Sequence, residues 1–450
     1  MRFLLVVLFA ASVSLSLLSG CKPTAAPELG AETAGEVVKG EVVKTVELFP
    51  EPLPADNAQA VEQLKSKNVA LQMDDSGNVV VADFRSTETG DDDLALLTRL
   101  PSVARVIVFG PNFTDAGCQH LAKCQSFQIL DAASTRIADE GVKTLSTVAG
   151  LKALGLRRTD VTDAGIAHLA GAKNLVDVDL RFTNVTDESA KTLAGIKSLR
   201  VVKLQECPNI TDEGVKALAT LPNLQSINIS KNTQLSAASL EALGKTSTLK
   251  VLELENDIDI PGKAFVHIAG LTGLEVLNVR FNSVFSDDLK HLAGMTGLKE
   301  LYLRESAVKS DGIAHLTGLT NLEVLDLTGS IVDDSCIATL ASFPKLRDLA
   351  LEYCTITDEG LAEIGKLTSL TALDLSKCEI TSAGLAHLAA LENLETLELD
   401  ECMMLDTSAV ESLSKLKKLK KLKLGLTSLG YDEGALNTLK EAIPGLNIEV

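Results

Sequence analysis

From residue 79 onward the chain repeats itself every 24 or 25 residues. Aligned copies begin at Val79, Val103, Phe127, Leu151, Leu175, Leu199, Leu224, Leu249, Leu274, Leu298, Leu322, Leu346, Leu370, Leu394 and Leu419, fifteen units followed by a partial strand at 446–450. A length of 450 residues would otherwise suggest about three domains, and the periodicity overrides that prior. One copy reads Leu151-Lys-Ala-Leu154-Gly-Leu156-Arg-Arg-Thr159-Asp-Val161-Thr162-Asp163-Ala-Gly165-Ile166-Ala-His-Leu169. Its first half alternates, which suits a short strand with one buried face. In its second half Thr162, like Thr186, Thr211 and Thr357, is placed to cap a helix, and the following Asp suits the positive helix end. Apolar residues three apart, such as Ile166 and Leu169, then face inward. A unit this small cannot bury its apolar face alone, so units must stack. The expected fold is α/β: a curved solenoid with parallel strands on the concave face and helices on the convex face, its inner edge roughly 70 Å long at about 4.8 Å per strand.

The ninth position of each unit reads Thr87, Pro111, Thr135, Thr159, Thr183, Cys207, Asn232, Asp257, Asn282, Ser306, Ser330, Cys354, Cys378, Cys402 and Thr427. Apart from Pro111 these are small hydrogen-bonding residues, as a buried ladder satisfying loop amides requires. The pattern LxxLxLxx(N/C/T) at this period resembles the leucine-rich repeat. Its second half, (I/V)-T-D-x-G-(L/I/V)-x-x-L, resembles the 24-residue GALA-like class and the cysteine-containing class found in F-box proteins. The resemblance covers residues 79–450 and implies a leucine-rich repeat horseshoe. A solenoid exposes core at its ends, so residues 57–78, with Ala60, Val61 and Leu64 at helical spacing, are expected to form an N-terminal cap and 436–450 a C-terminal one, with repeats over 79–435 between them.

The first twenty residues read as an address. Arg2 is followed by a sixteen-residue apolar run over 3–18, short for a membrane span and suited to a signal peptide. It ends in Leu18-Ser19-Gly20-Cys21, which resembles the bacterial lipobox. That resemblance implies cleavage before Cys21, lipidation of its thiol and a bacterial cell-envelope location, with Lys22 favouring the outer membrane. Residues 21–56, broken by Pro23, Pro27, Pro50, Pro52 and Pro54 and carrying a Gly-Glu-Val-Val-Lys duplication, read as a disordered tether.

Charge narrows the function. With 61 acidic against 42 basic side chains the net charge is −19, which disfavours nucleic acid or an anionic membrane surface as a partner and accommodates a cationic one. Aromatic content of 3% without Trp disfavours a Trp-stacking lectin. No P-loop, GxSxG, HExxH or GxGxxG occurs, so no enzyme is expected, and no cofactor or metal. His120, His168, His267, His291, His315 and His387 share one helix position, too dispersed for a common ion. Seven cysteines remain after Cys21, an odd number without CxxC spacing, and are expected to act as small core residues. Asp91-Asp92-Asp93 reads as a helix start. Asp257-x-Asp259 lacks the remaining spacing of a calcium loop. The run Lys415, Lys417, Lys418, Lys420, Lys421, Lys423 is explained by pairing of Lys420 and Lys423 with Glu395 and Glu398 on the preceding strand.

The non-repeating positions carry the functional expectation. Outward strand positions hold Arg157, Arg181, Arg280 and Arg304 in two adjacent pairs, with Arg158, Phe182, Phe281, Tyr302 and Tyr353 beside them. Arg with aromatic residues is the composition of binding hot spots. Arg157 and Arg181, as lateral like charges, point to an acidic partner; the competing reading is a solvated sheet with local pairs such as Glu255 beside Arg280. The expectation is a non-enzymatic, envelope-anchored lipoprotein whose concave face binds a protein or glycan. The alternatives are a self-associating structural element of the envelope and, suggested by repeat class alone, an F-box-like adaptor.

Overall fold

The computed structural model describes residues 53–256 and 260–450. The expected signal peptide, Cys21, the expected tether up to residue 52, and Asp257 and Asp259 lie outside the described residues.

One sheet of seventeen strands runs the length of the described chain, in sequence order. Its first strand, Ala70–Met73, is antiparallel to Val79–Asp83, and every later strand is parallel to the one before. The parallel strands are three residues long and pair in strict repeat register, as Asp131↔Gly155↔Asp179 illustrates. The middle residue of each but the last, such as Leu154, Val178 or Leu349, is buried, so its two neighbours stand on the outer sheet face. The strands thus line the concave face of a solenoid and short helices line the convex face, with one continuous core of Leu, Ile and Val between them.

The ends are closed. Helix Ala58–Ser66, capped by the Asn57 side chain on the Ala60 N–H, buries Ala60 and Leu64. The antiparallel hairpin follows it, turned by Asp74, which accepts from the Ser76 and Asn78 amides, and by Gly77 at φ 83°. Helix Glu433–Ala442 and strand Asn447–Glu449 cover the other end.

Thr-Asp-x-Gly does more than start a helix. Thr162 accepts from the Ala164 amide, as an N-cap should. Asp163, however, reaches forward to the next repeat, where its carboxylate accepts the Thr186 N–H at 2.9 Å and the Thr186 hydroxyl at 2.7 Å. The same pair links Asp91 to Thr114, Asp139 to Thr162, Asp187 to Thr211, Asp334 to Thr357 and Asp358 to Thr381. The carboxylate occupies the space a side chain would need on the next helix: a Cβ on Gly165 would lie 2.4 Å from Asp139 Oδ1. Where Ser189 and Ser239 replace that glycine, their hydroxyls donate to the carboxylate instead. Where the Asp is shortened to Ser310 or Ser382, donor and acceptor trade places with Asp333 and Asp406, and Cys336 or Ala409 fills the glycine position. Asp288 and Gly262 exchange the two roles outright, since a Cβ on Gly262 would meet Asp288 Oδ2 at 2.2 Å. Around this exchange the Thr cap is replaced by Pro261 and Phe285, neither side chain caps, and the convex segments 262–267 and 286–292 tighten to 3-10 helices.

Candidate functional site

From the second repeat onward the eighth residue lies in the turn after the strand, in the left-handed region: Ser134, Arg158, Phe182, Glu206, Lys231, Asn256, Phe281, Glu305, Tyr353, Lys377, Glu401 and Leu426 have φ between 54° and 61°. Gly110 and Gly329 occupy the same position. A left-handed L-residue costs roughly 1–2 kcal/mol, so glycine or asparagine would serve the fold better. The bulky aromatics at this position are therefore not there for the turn. Phe281 is 43% and Tyr353 68% exposed, so neither is there for the core.

The structure brings the sequence-derived residues into two groups. In the first, the Arg158 guanidinium lies 4.3 Å over the Phe182 ring. Arg157, half-buried in the same turn after the strand Ala153–Gly155, faces Asp131 electrostatically. Arg181 pairs with Asp179 at 2.7 Å through two hydrogen-bonding nitrogens, both side chains nearly enclosed. In the second group, Arg280 lies 4.3 Å over the Tyr302 ring and pairs with Asp326 at 2.8 Å. The Tyr302 hydroxyl donates to Glu300 at 2.7 Å, and burial, then that carboxylate, pushes its pKa up. Arg304 reaches Glu352 at 3.2 Å, and the Phe281 amide donates to the Arg304 carbonyl of the neighbouring strand. Tyr353 stands two repeats beyond Arg304, in the turn after the strand Asp348–Ala350.

Two expectations about these charges change. Arg181 is neutralised by a carboxylate two residues back on its own chain, so the Arg157–Arg181 pair is not a bare like-charge pair. Arg280 pairs with Asp326, two strands on, and Glu255 takes Lys231 at 3.3 Å instead. The Lys run behaves as the register requires: Lys420 meets Glu395 at 2.7 Å and Lys423 meets Glu398 at 2.8 Å.

A row of carboxylates on the same face went unremarked in the sequence. Asp131, Asp177, Glu253, Asp348 and Asp374 occupy outward strand positions, and burial raises the pKa of each above the ordinary carboxylate range. Reading the fifth position down the repeats (Asp83, Asp131, Asp179, Glu253, Asp326, Asp374, Glu398) together with the third (Asp177, Glu300, Asp348) would have found it.

A family described as leucine-rich repeat region matches residues 102–362, more than half of the chain, and one described as leucine rich repeat matches 366–389. The chain belongs to the leucine-rich repeat family. Among solved structures, an internalin from Listeria monocytogenes is similar to this leucine-rich repeat chain at 22% identity and a TM-score of 0.50, covering 77% of this chain and 97% of the internalin. A leucine-rich repeat protein of Leptospira interrogans is similar at 17% identity and a TM-score of 0.51, covering 79% and 92%. At these identities the likeness is one of fold. No curated protein matches.

The leucine-rich repeat ladder accounts for four thiols. Cys207, Cys354, Cys378 and Cys402 are buried and donate to Leu180, Leu327, Leu351 and Leu375 carbonyls of the preceding repeat at 3.1–3.3 Å. All seven described cysteines are free and buried, and burial pushes Cys354 and Cys402 to about 12. The histidines lie on the convex helices, four exposed and His120 and His291 half-buried.

Proposed function

We propose that this chain is a non-enzymatic lipoprotein of the bacterial envelope whose leucine-rich repeats bind a protein through the concave face, a glycan being the other ligand class the surface admits. The observation that carries the binding reading is the exposed Phe281 and Tyr353 in left-handed conformation, in the same run of turns that holds the Arg158–Phe182 stack and the Arg280 of the Arg280–Tyr302 stack. The fold gives no reason for these side chains, whereas aromatic and arginine groups are the ones that carry interface energy. The thiol ladder and the Thr-Asp-x-Gly braces support assigning the repeats to the GALA-like, cysteine-containing class. Anchoring by a lipid on Cys21 rests on the lipobox, and no described helix is long and apolar enough to cross a membrane. The test is capture of a partner from envelope extract by the full chain. Phe281→Ser with Tyr353→Ser should abolish capture and His291→Ala with His315→Ala should leave it intact. Capture of the chain's own copies alone would instead support the self-associating envelope element.

A further inference from the structure

The sheet face between residues 300 and 374 has a charge arrangement of its own. Parallel register places Glu300, Val324, Asp348 and Ala372 in one row, and Tyr302, Asp326, Ala350 and Asp374 in the next. Val324, Ala350 and Ala372 are short and apolar, so no polar side chain of these two rows stands between the carboxylates except the Tyr302 hydroxyl. Over the eight strands from Ser226–Asn228 to Thr396–Glu398, six outward positions hold carboxylates (Glu253, Glu300, Asp326, Asp348, Asp374 and Glu398) and none holds Lys or Arg.

The cations nearest this stretch are already engaged. Arg280 is held by Asp326, Arg304 and Lys377 by Glu352, Arg347 by Glu323 and Lys423 by Glu398. Among the described residues none donates a hydrogen bond to the Asp348 carboxylate, and Asp374 accepts one from the Ser376 amide on its own strand. The unsatisfied charge of the face is therefore negative, although its arginines stand out in the sequence. Beside it, Tyr302 already takes a guanidinium on its ring, and Tyr353, in the turn after the strand Asp348–Ala350 with its amide donating to the Ser376 carbonyl, offers a second ring with no cation over it among the described residues. Carboxylates next to an exposed aromatic face are the surroundings that suit an ammonium or guanidinium group.

We propose that the sheet surface around Asp348, Asp374 and Tyr353 docks a protein segment presenting lysine or arginine side chains. This rests on the concave-face reading above and supplies the chemical class of its partner. The net charge of −19 would steer such a segment inward, and short-range pairing at Asp348 and Asp374 would hold it.

The test titrates the full chain with octalysine and with octaglutamate by calorimetry at low ionic strength. Asp348→Asn with Asp374→Asn is compared with Glu140→Gln with Glu188→Gln, two exposed convex-face carboxylates that remove the same formal charge. The proposal expects octalysine to bind the native chain, at least tenfold weaker binding in the concave variant, less than a twofold change in the convex one, and no binding of octaglutamate. Tyr353→Ala should weaken octalysine about threefold. A single cooperative thermal transition, no lower than that of the native chain, confirms that each variant folds. Equal losses in the two double variants, or no octalysine binding, would overturn the proposal. Binding of octaglutamate at the same residues would overturn the charge class while leaving the concave face as the binding surface. A partner that cross-links to the convex helices would remove the underlying reading itself.

Discussion

Gly384→Ala is the sharpest probe of how the repeats hold one another. The Asp358 carboxylate accepts the Thr381 N–H at 2.8 Å and the Thr381 hydroxyl at 2.6 Å, bracing one repeat on the next. A Cβ on Gly384 would lie 2.0 Å from Asp358 Oδ1 and 2.4 Å from its Cγ, so the carboxylate must leave. Two hydrogen bonds to a charged acceptor are then lost or strained, at about 1.5–3 kcal/mol each as an upper figure. Overpacking adds about 1–3 kcal/mol. Against this, Ala improves helix propensity by about 0.5–1 kcal/mol. The steric and polar terms win, and a net loss of about 2–4 kcal/mol is expected. Asp358→Ser alone should cost about 1–3 kcal/mol through the lost bonds. In its presence Gly384→Ala should become nearly neutral, because the chain itself uses Ser382 before Ala409 and Ser310 before Cys336. Urea denaturation of the two single variants and the double should give a coupling energy near 2 kcal/mol, with amide exchange at Thr381 reporting local opening. Additivity within about 0.5 kcal/mol would refute the brace, since residues that do not share a contact add.

Three further outcomes follow from the same structure. Cys378→Ser should be tolerated better than Cys378→Leu by about 1–3 kcal/mol, since the site donates to the Leu351 carbonyl at 3.3 Å and has no room for a branched chain; equal melting temperatures would contradict this. Burial, opposed by Arg347 and reinforced by Asp326, raises the pKa of Asp348, so its favourable protonated form is fully present only below the unfolded value of about 3.9 and is lost as pH rises through the folded value. Asp348→Asn should therefore melt higher than the native chain at pH 7, and the gap should close as pH falls towards 3; a gap that widens in acid would reverse the sign. Cys21→Ser should release the chain from membranes and remove the acyl mass at residue 21, and unchanged membrane partitioning would end the lipoprotein reading.

The periodicity made most of the fold legible. Spacing of Leu at 24 or 25 residues fixed where each strand lies, and the ninth-position residues marked the ladder that the thiols and hydroxyls complete. The hairpin at Ala70–Met73 escaped because it lies outside the repeat, although Asp74-Asp75-Ser76-Gly77 is a turn signal. Thr-Asp-x-Gly was legible as a helix start but not as a brace, because Asp163 and Gly165 find their partners in neighbouring repeats 23–26 residues away. The candidate site was legible in composition and not in charge balance. Arg181, Arg280 and Arg304 look available along the chain, and each is neutralised by a carboxylate that only strand register or side-chain reach brings alongside. The buried carboxylates attracted no notice because single Asp and Glu residues are scattered one per repeat, and stacking alone gathers them.

The central claim is that the concave sheet, not the convex helices, is the working surface. A photo-crosslinking p-benzoylphenylalanine placed at Tyr353 or at His315 in the full chain, irradiated in envelope extract, tests it directly, because the first position lies in the turn after a concave strand and the second on a convex helix, both exposed. The account predicts a discrete adduct with a second protein from position 353 and none from position 315. An adduct from position 315 with none from position 353 would contradict it.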